Sequence, residues 1–486
     1  LTLDLRDPGR AAGQIAAFAA KHPLHAIIPT DDETAVVAAA ASARLGLPHN
    51  PPEAARAARR KDELRRILHA ARVQTPRYSV MTLDHDPAAS ALKQGFPVVL
   101  KPTFLAASRG VIRADNPEQF VAAFRRIEAL LHEPDILGKG GDAARLIVAE
   151  EFVPGVEVAV EGLLIGGRLK VLALFDKPDP LDGPFFEETI YVTPSRLAAG
   201  IQDAIATTTA SAGRALGLRE GPVHAELRVN DRGPWLIELA ARSIGGLCSR
   251  ALRFGTGLSL EEVVLMHALG RSVEEIQREP RPAGVMMIPI PHAGVLRGVS
   301  GVAAARRVPA STTSRSAPPS AGRSCRCRRD RRTSASSSRA RTARRRSRAP
   351  CGRRTPGCRS RSSPTPNPSR VLALRGQAAR NPATPINLCG MLVASIGSAR
   401  SDGRRADHER GIIHLMSHIL FICSGNTCRS PMAAGIARRI FGQSHLIVSA
   451  GAGTSGGDGA ATNAASGRIM CERPEGTPQA AGRCVK

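Results

Sequence analysis

The chain has 486 residues, 42% apolar, 23% charged and 3% aromatic, with a formal net charge of +26. At about 150 residues each this suggests two to four domains, and the apolar share is enough for packed cores. No run approaches the roughly 18 apolar residues of a membrane helix; the best, 386–396, is too short and contains Asn387, so no membrane association is expected.

The charge is local. Residues 301–380 hold 22 Arg, no Lys and one acid, Asp330, for +21; 381–410 add +1 and the rest of the chain shares +4. The basic balance therefore says little about the other segments. The ten cysteines are uneven as well: five between Cys325 and Cys389, four between Cys423 and Cys484, and Cys248 by itself. A secreted disulfide scaffold is shorter and denser. With no secretory signal, reduced thiols point to a cytoplasmic protein, and a start at Leu1 rather than Met reads as a fragment lacking its beginning.

Residues 14–20 show a short helix pattern and 25–29 a buried strand. Thr30, Asp31, Asp32 and Glu33 then supply a cap and acidic first turn for an Ala-rich helix to Arg44. Residues 51–84 read as one cation-rich helix and a strand at 78–81. A strand ends at Lys101, a loop carries Ser108, Arg109 and Gly110, and an amphipathic helix spans 116–131. Strands follow at 146–153, 157–165 and 169–174, the last two joined by Gly166 and Gly167, a hairpin signal. A helix at 198–216 precedes strands at 222–229 and 234–239, giving an α+β body on antiparallel sheet. From about Arg306 the chain is Arg, Ser, Pro, Ala and Gly with almost no large aliphatics, which predicts disorder. Strands return at 418–423 and 446–449 around a helix at 431–441.

One constellation gathers Lys61 and Lys101, the Ser108-Arg109-Gly110 loop, Glu150-Glu151-Phe152-Val153, Glu157, and Glu226 with Glu238 on two strands joined by a tight turn. Two carboxylates across a hairpin suit a hard cation that also takes phosphate oxygens. Arg242 follows four residues after Glu238. Taken alone, Lys61 reads as a solvated helix face and His224 as a core histidine outside the site.

This pattern resembles the ATP-grasp family over roughly 1–305, most of all its carboxylate–amine ligases. The resemblance is carried by the segments ending at Lys101, from Glu150 to Glu157, and from His224 through Glu226 and Glu238 to Gly246. It implies a small α/β piece ahead of an antiparallel-sheet nucleotide-binding domain. It implies Lys61 and Lys101 on ATP phosphates, with Ser108, Arg109 and Gly110 in the loop closing over them. Glu150, Glu151 and Val153 would frame the adenine and Glu157 the ribose. Glu226 and Glu238 would ligate Mg²⁺, with Mn²⁺ as the alternative ion, and Arg242 would steady an acyl phosphate or substrate carboxylate. The implied reaction forms an acyl phosphate that an amine displaces, with small acids and amines, amino acids above all, as partners and a homodimer as one assembly. The family often has Asn two residues after the second Glu; here Ala240 stands there.

A second constellation is Cys423-Ser-Gly-Asn-Thr-Cys-Arg429-Ser430-Pro431, after a strand and opening a helix. Backbone N–H groups, the helix start and the Arg surround an anion, and the same field activates the thiolate. The string resembles the low-molecular-weight protein-tyrosine phosphatases, which include arsenate-reductase relatives, over about 417–466. The resemblance implies Cys423 as nucleophile, Arg429 as phosphate binder and Ser430 as thiolate stabiliser in a partial parallel α/β domain. The family's general acid lies near the end of a longer domain, whereas Asp458 is the sole Asp after Cys423; little or no phosphatase activity is the expectation.

The expected domains are 1–50, 51–305, a disordered Arg-rich 306–412, and 413–486. For the Arg-rich segment a nucleic-acid arm is one reading, disfavoured because Lys and stacking aromatics are missing. Another takes it as an out-of-frame product of GC-rich coding DNA that joins two neighbouring frames.

Overall fold

Two aspartates open the helices of the N-terminal region. After the short strand β1 (Thr2–Leu3), Asp7 accepts a bond from the Arg10 N–H and Pro8 takes the first helical position, so α1 (Pro8–Ala19) starts earlier than expected. β2 (Ala26–Pro29) follows, and Asp31 caps α2 (Asp32–Leu45) through the Thr34 N–H. The computed structural model describes residues 1–245, 248–288, 418–423 and 447–452, with isolated positions at 301, 304, 305, 307, 434 and 437.

The cation-rich helix expected after residue 51 is two helices, α3 (Pro52–Arg59) and α4 (Lys61–Ala70). Arg60 is extended between them, which lets the Lys61 N–H bond to Thr103 O at 2.8 Å. β3 (Tyr78–Thr82), α5 (Pro87–Ala91), β4 (Val98–Pro102), β5 (Ile112–Ala114), α6 (Pro117–Leu131), α7 (Pro134–Gly140) and β6 (Leu146–Glu151) come next. Their antiparallel sheet has the order β3-β6-β4-β5. It packs on the apolar stripe of α6, where Phe120, Phe124 and Ile127 are fully buried against Leu100 and Ile147.

The central sheet has the order β11-β10-β7-β8-β9-β12. Its members are β7 (Val156–Ile165), β8 (Arg168–Lys177), β9 (Ile190–Thr193), β10 (Gly221–Asn230), β11 (Gly233–Ala240) and β12 (Ala283–Met286), with α8 (Ala199–Leu216) before β10 and α9 (Leu260–Ala268) after β11. One face buries Val158, Val160 and Leu227 against Ala54, Leu64 and Ile205 of α3, α4 and α8. The other buries Ala159, Leu163 and Phe175 in a core shared with Leu260 and Val263 of α9. β8 runs three residues past its expected end, because Asp176 and Lys177 break the apolar pattern but not the ladder.

β13 (Ile419–Ile422) and β14 (Ile447–Ala452) complete a parallel sheet of order β1-β14-β13-β2. This sheet joins strands from the first and the last of the expected domains. Ala434 and Ala437 are helical and buried, within the helix expected at 431–441. Apart from Arg307, the segment expected to be disordered lies outside the described residues, and among these no helix is long and apolar enough to cross a membrane. The elements named here all belong to one unit of the chain.

Candidate functional site

A cleft open to solvent is lined by both antiparallel sheets. Of the residues singled out in the sequence it brings together Lys61, Lys101, Ser108, Glu150, Glu151, Val153, Glu157, Glu226 and Glu238. Arg109, Gly110 and Arg242 are not among its lining residues. Cys423 is buried at the end of β13, and Arg429 and Ser430 lie outside the described residues.

The cations come from helix and strand ends. Lys61, the first residue of α4, donates to Leu105 O at 2.8 Å and lies 3.5 Å from Glu238 Oε1. Lys101, on β4, donates to Glu150 Oε2 at 2.6 Å. Glu150 also accepts from Arg65 Nη2 at 3.1 Å, and all three side chains are buried. Burial pushes the Glu150 carboxyl up, but Arg65 and Lys101 outweigh it and hold it at about 2. The Glu150 side chain therefore fixes Lys101 in place, a job that the adenine-framing expectation does not include.

The neighbouring segment is more open. Glu151 accepts from the Arg77 Nε at 2.8 Å, and the Phe152 N–H bonds to Pro97 O. No hydrogen bond to the Val153 N–H or C=O is found among the described residues, although Val153 is buried. Such groups are normally paired, so this wall offers one donor and one acceptor. Val99, Leu105, Phe152 and Ile237 make the surrounding surface apolar.

The carboxylates stand in rows across the central sheet. Glu226 on β10 faces Glu238 on β11, His224 faces Glu161 on β7, and Arg228 faces Glu157, itself opposite Lys177 on β8. Alternation along the strand puts His224, Glu226 and Arg228 on one face. Carboxylate oxygens of Glu157, Glu188 and Glu226 lie within 4.8 Å of one another. Lys177, missed in the sequence because it follows the apolar run of its strand, donates to all three at 2.8, 2.9 and 3.0 Å.

Burial lowers the affinity of Lys177 for its proton, but Glu226, Glu188 and Glu157 raise it well above the ordinary value. Glu226 is held well below the ordinary carboxylate range: Lys177 and His224 outweigh burial. Glu188 is pushed up to about 7 by burial and by the adjacent Glu226 charge. His224 is buried and does not line the cleft, but its partners are carboxylates and not apolar side chains. Its ring nitrogens lie 3.5 Å from Glu161 and 3.6 Å from Glu226, and these partners overcome burial and raise it to about 9.

Arg242 meets a partner that the sequence offers only as a helix-start acid. Its Nε and Nη2 donate to the two Asp32 oxygens, both at 2.9 Å, and Nη1 donates to Ser243 O. The fork geometry is the strong bidentate form, and Asp32 is anchored in the first turn of α2, where the helix dipole favours an anion. In the loop before β5, Ala107, Ser108 and Gly110 all have left-handed φ, at 56°, 50° and 73°. A Cβ on Gly110 would meet Pro102 at 2.8 Å and Leu130 at 2.9 Å, so packing beneath the loop also demands glycine.

Comparison with known proteins agrees with this architecture. Residues 94–251 match the ATP-grasp domain, 1–49 the ATP-grasp N-terminal domain, and 418–473 the low molecular weight phosphotyrosine protein phosphatase family. The chain is 29% identical over 252 residues to the alanine--anticapsin ligase of Bacillus subtilis (strain 168), covering 49% of this chain and 52% of that protein. It is 32% identical over 290 residues to carnosine synthase 1 of Gallus gallus, covering 56% and 30%. It thus spans about half the length of the first of these relatives and less of the second. The solved L-amino acid ligase from Bacillus licheniformis superposes with a TM-score of 0.53 at 28% identity, over 64% of this chain and 74% of that one. The chain is therefore built on ATP-grasp domains over residues 1–49 and 94–251, and carries a low-molecular-weight phosphatase-like stretch at 418–473.

Proposed function

We propose that this chain is an ATP- and divalent-metal-dependent ligase that joins a carboxylate to an amine, with amino acids as the substrate class. The observation that carries the reading is a single cleft that gathers Lys61 and Lys101 with the carboxylates Glu157, Glu226 and Glu238 beside an apolar wall. The ligases among its relatives, which include proteins named for alanine and for carnosine, support the same reading.

The donor set fits a hard cation and a nucleotide. Glu226 and Glu238, opposed across a hairpin, offer hard oxygen ligands. Mg²⁺ is the ion we favour, with Mn²⁺ as the alternative; bound there it would neutralise phosphate charge. Lys61 and Lys101 would hold the phosphates, and Ser108 would close over them. Val153 would offer its N–H and C=O to the adenine edge, and Glu157 would take the ribose. Arg242, held by Asp32, would steady the substrate carboxylate. In the proposed reaction the substrate carboxylate takes the terminal phosphoryl group of ATP, releasing ADP. The amine then displaces phosphate to form the amide, losing a proton. The chain's contribution is positioning and charge neutralisation.

The test is ADP release by the full chain with Mg·ATP and pools of amino acids. Release that requires both an acid and an amine supports the reading, and Lys101→Ala should abolish nucleotide binding. Unchanged nucleotide affinity in that variant would overturn the assignment of the cleft. The family match at 418–473 favours a second reading for the C-terminal stretch, a cysteine phosphatase with Cys423, Arg429 and Ser430. Aryl phosphate hydrolysis lost in Cys423→Ser is its test.

A further inference from the structure

We propose that the phosphatase-like stretch serves this chain as a strand donor that completes the N-terminal sheet. β1 and β2, the strands that the N-terminal region itself supplies to that sheet, do not pair with each other. β14 and β13 stand between them, so that β1 pairs with β14 and β2 with β13. Among the described residues, β1 and β2 have no other strand neighbour. Without the C-terminal strands their backbone groups would lose every ladder bond. A lone strand buried beside helices is not a stable arrangement.

The side chains argue the same way. Ile419, Leu420 and Ile422 are fully buried and Phe421 nearly so. Burial on both faces is the mark of a central parallel strand. Leu420 and Ile422 pack with Ala11, Ile15, Val37 and Ala38 of α1 and α2. Ile419 and Phe421 pack on the opposite face with Ile28, Leu260 and Val263. One strand thus fills the gap between the N-terminal helices and α9.

The end of β13 also reaches toward the candidate active site. Ile422 O accepts from the Thr30 N–H at 3.0 Å, and from the hydroxyls of Thr30 and Thr34 at 3.1 Å each. These bonds fix the start of α2, where Asp32 grips Arg242. In this chain the donated strand is part of what sets the Arg242 position, whatever its thiol chemistry.

Hydrogen exchange on the full chain tests the assignment without any substrate. The His25 and Thr30 amides donate to His418 O and Ile422 O. They should exchange on the order of 100-fold more slowly than unstructured amides. Exchange at the unstructured rate, with the β7 and β10 amides still protected, would overturn the proposal. In the full chain, Phe421→Asp should lower Tm by about 8 °C or more and release protection at 25–30. A melt within about 2 °C of the parent, with that protection intact, would also overturn it. Should Phe421→Asp not fold, the parent exchange pattern and the milder Phe421→Ala decide the question.

Discussion

Lys177 Nζ lies 3.0 Å from Glu226 Oε1, although 49 residues separate the two in the chain. It is the common counter-ion of three carboxylates that would otherwise repel one another in a buried place. Lys177→Met leaves them uncompensated, and breaking a buried pair in this way costs about 3–5 kcal/mol. Thermal melts at neutral pH should show that loss. Adding Glu188→Gln should restore part of it, because Glu188, pushed up to about 7, is the acid whose charge the fold tolerates least.

On the proposed reading, Glu226→Gln and Glu238→Gln each remove one of the two oxygen ligands that the hairpin would offer a metal ion. Calorimetric titration with Mg·ADP should show affinity reduced by about tenfold or more, roughly 1.4 kcal/mol. ADP titrated with EDTA present should show a much smaller difference from the parent.

Asp32→Asn keeps the shape of the side chain but removes the charge that receives the Arg242 fork. Turnover, followed as ADP release, should fall by roughly 10- to 100-fold, as expected when a positioning contact is lost. Mg·ADP affinity should stay within about twofold, because Asp32 is not in the cleft wall.

His224 is raised from an ordinary 6.5 to about 9. A group raised in the folded state contributes stability that is complete below the unfolded value and lost as pH rises through the folded one. The contribution is at most about 3 kcal/mol. Urea unfolding of the parent and His224→Asn should therefore differ most below pH 6.5 and converge as pH passes 9.

Gly110→Ala forces a Cβ against Pro102 and Leu130 on a backbone with φ +73°. A stability loss of about 1–3 kcal/mol is expected. Chemical denaturation measures it, and an unchanged midpoint would show that the loop can move without cost.

Local chemistry made much of this molecule legible. Asp31 with Thr34, and Asn116 with Pro117, announce helix starts by the bonds such residues make to free N–H groups. The Gly166-Gly167 turn joins β7 to β8, and the apolar run ending at Lys101 is β4. Strand alternation also contained a signal that was there to be used. His224 and Glu226 share a face, so a histidine two residues from a candidate metal ligand belongs with it.

Partners distant in sequence were not legible. Lys177 lies past the apolar run of its strand, Glu188 lies outside any strand, and Asp32 carries two roles of which only the helix-start one is local. The sequence by itself determined which short stretches become helices and strands, and which side chains could carry charge or bind a metal. Their spacing along the chain and their local hydrogen bonds suffice for that. Only the tertiary structure decided that Lys177 neutralises three acids, that Arg242 is held from α2, and that β13 lies beside β2. Parallel pairing leaves no turn between its strands, and Thr30 meets Ile422 across 392 residues. Burial of both faces of β13 selects that neighbour, and no local pattern encodes it.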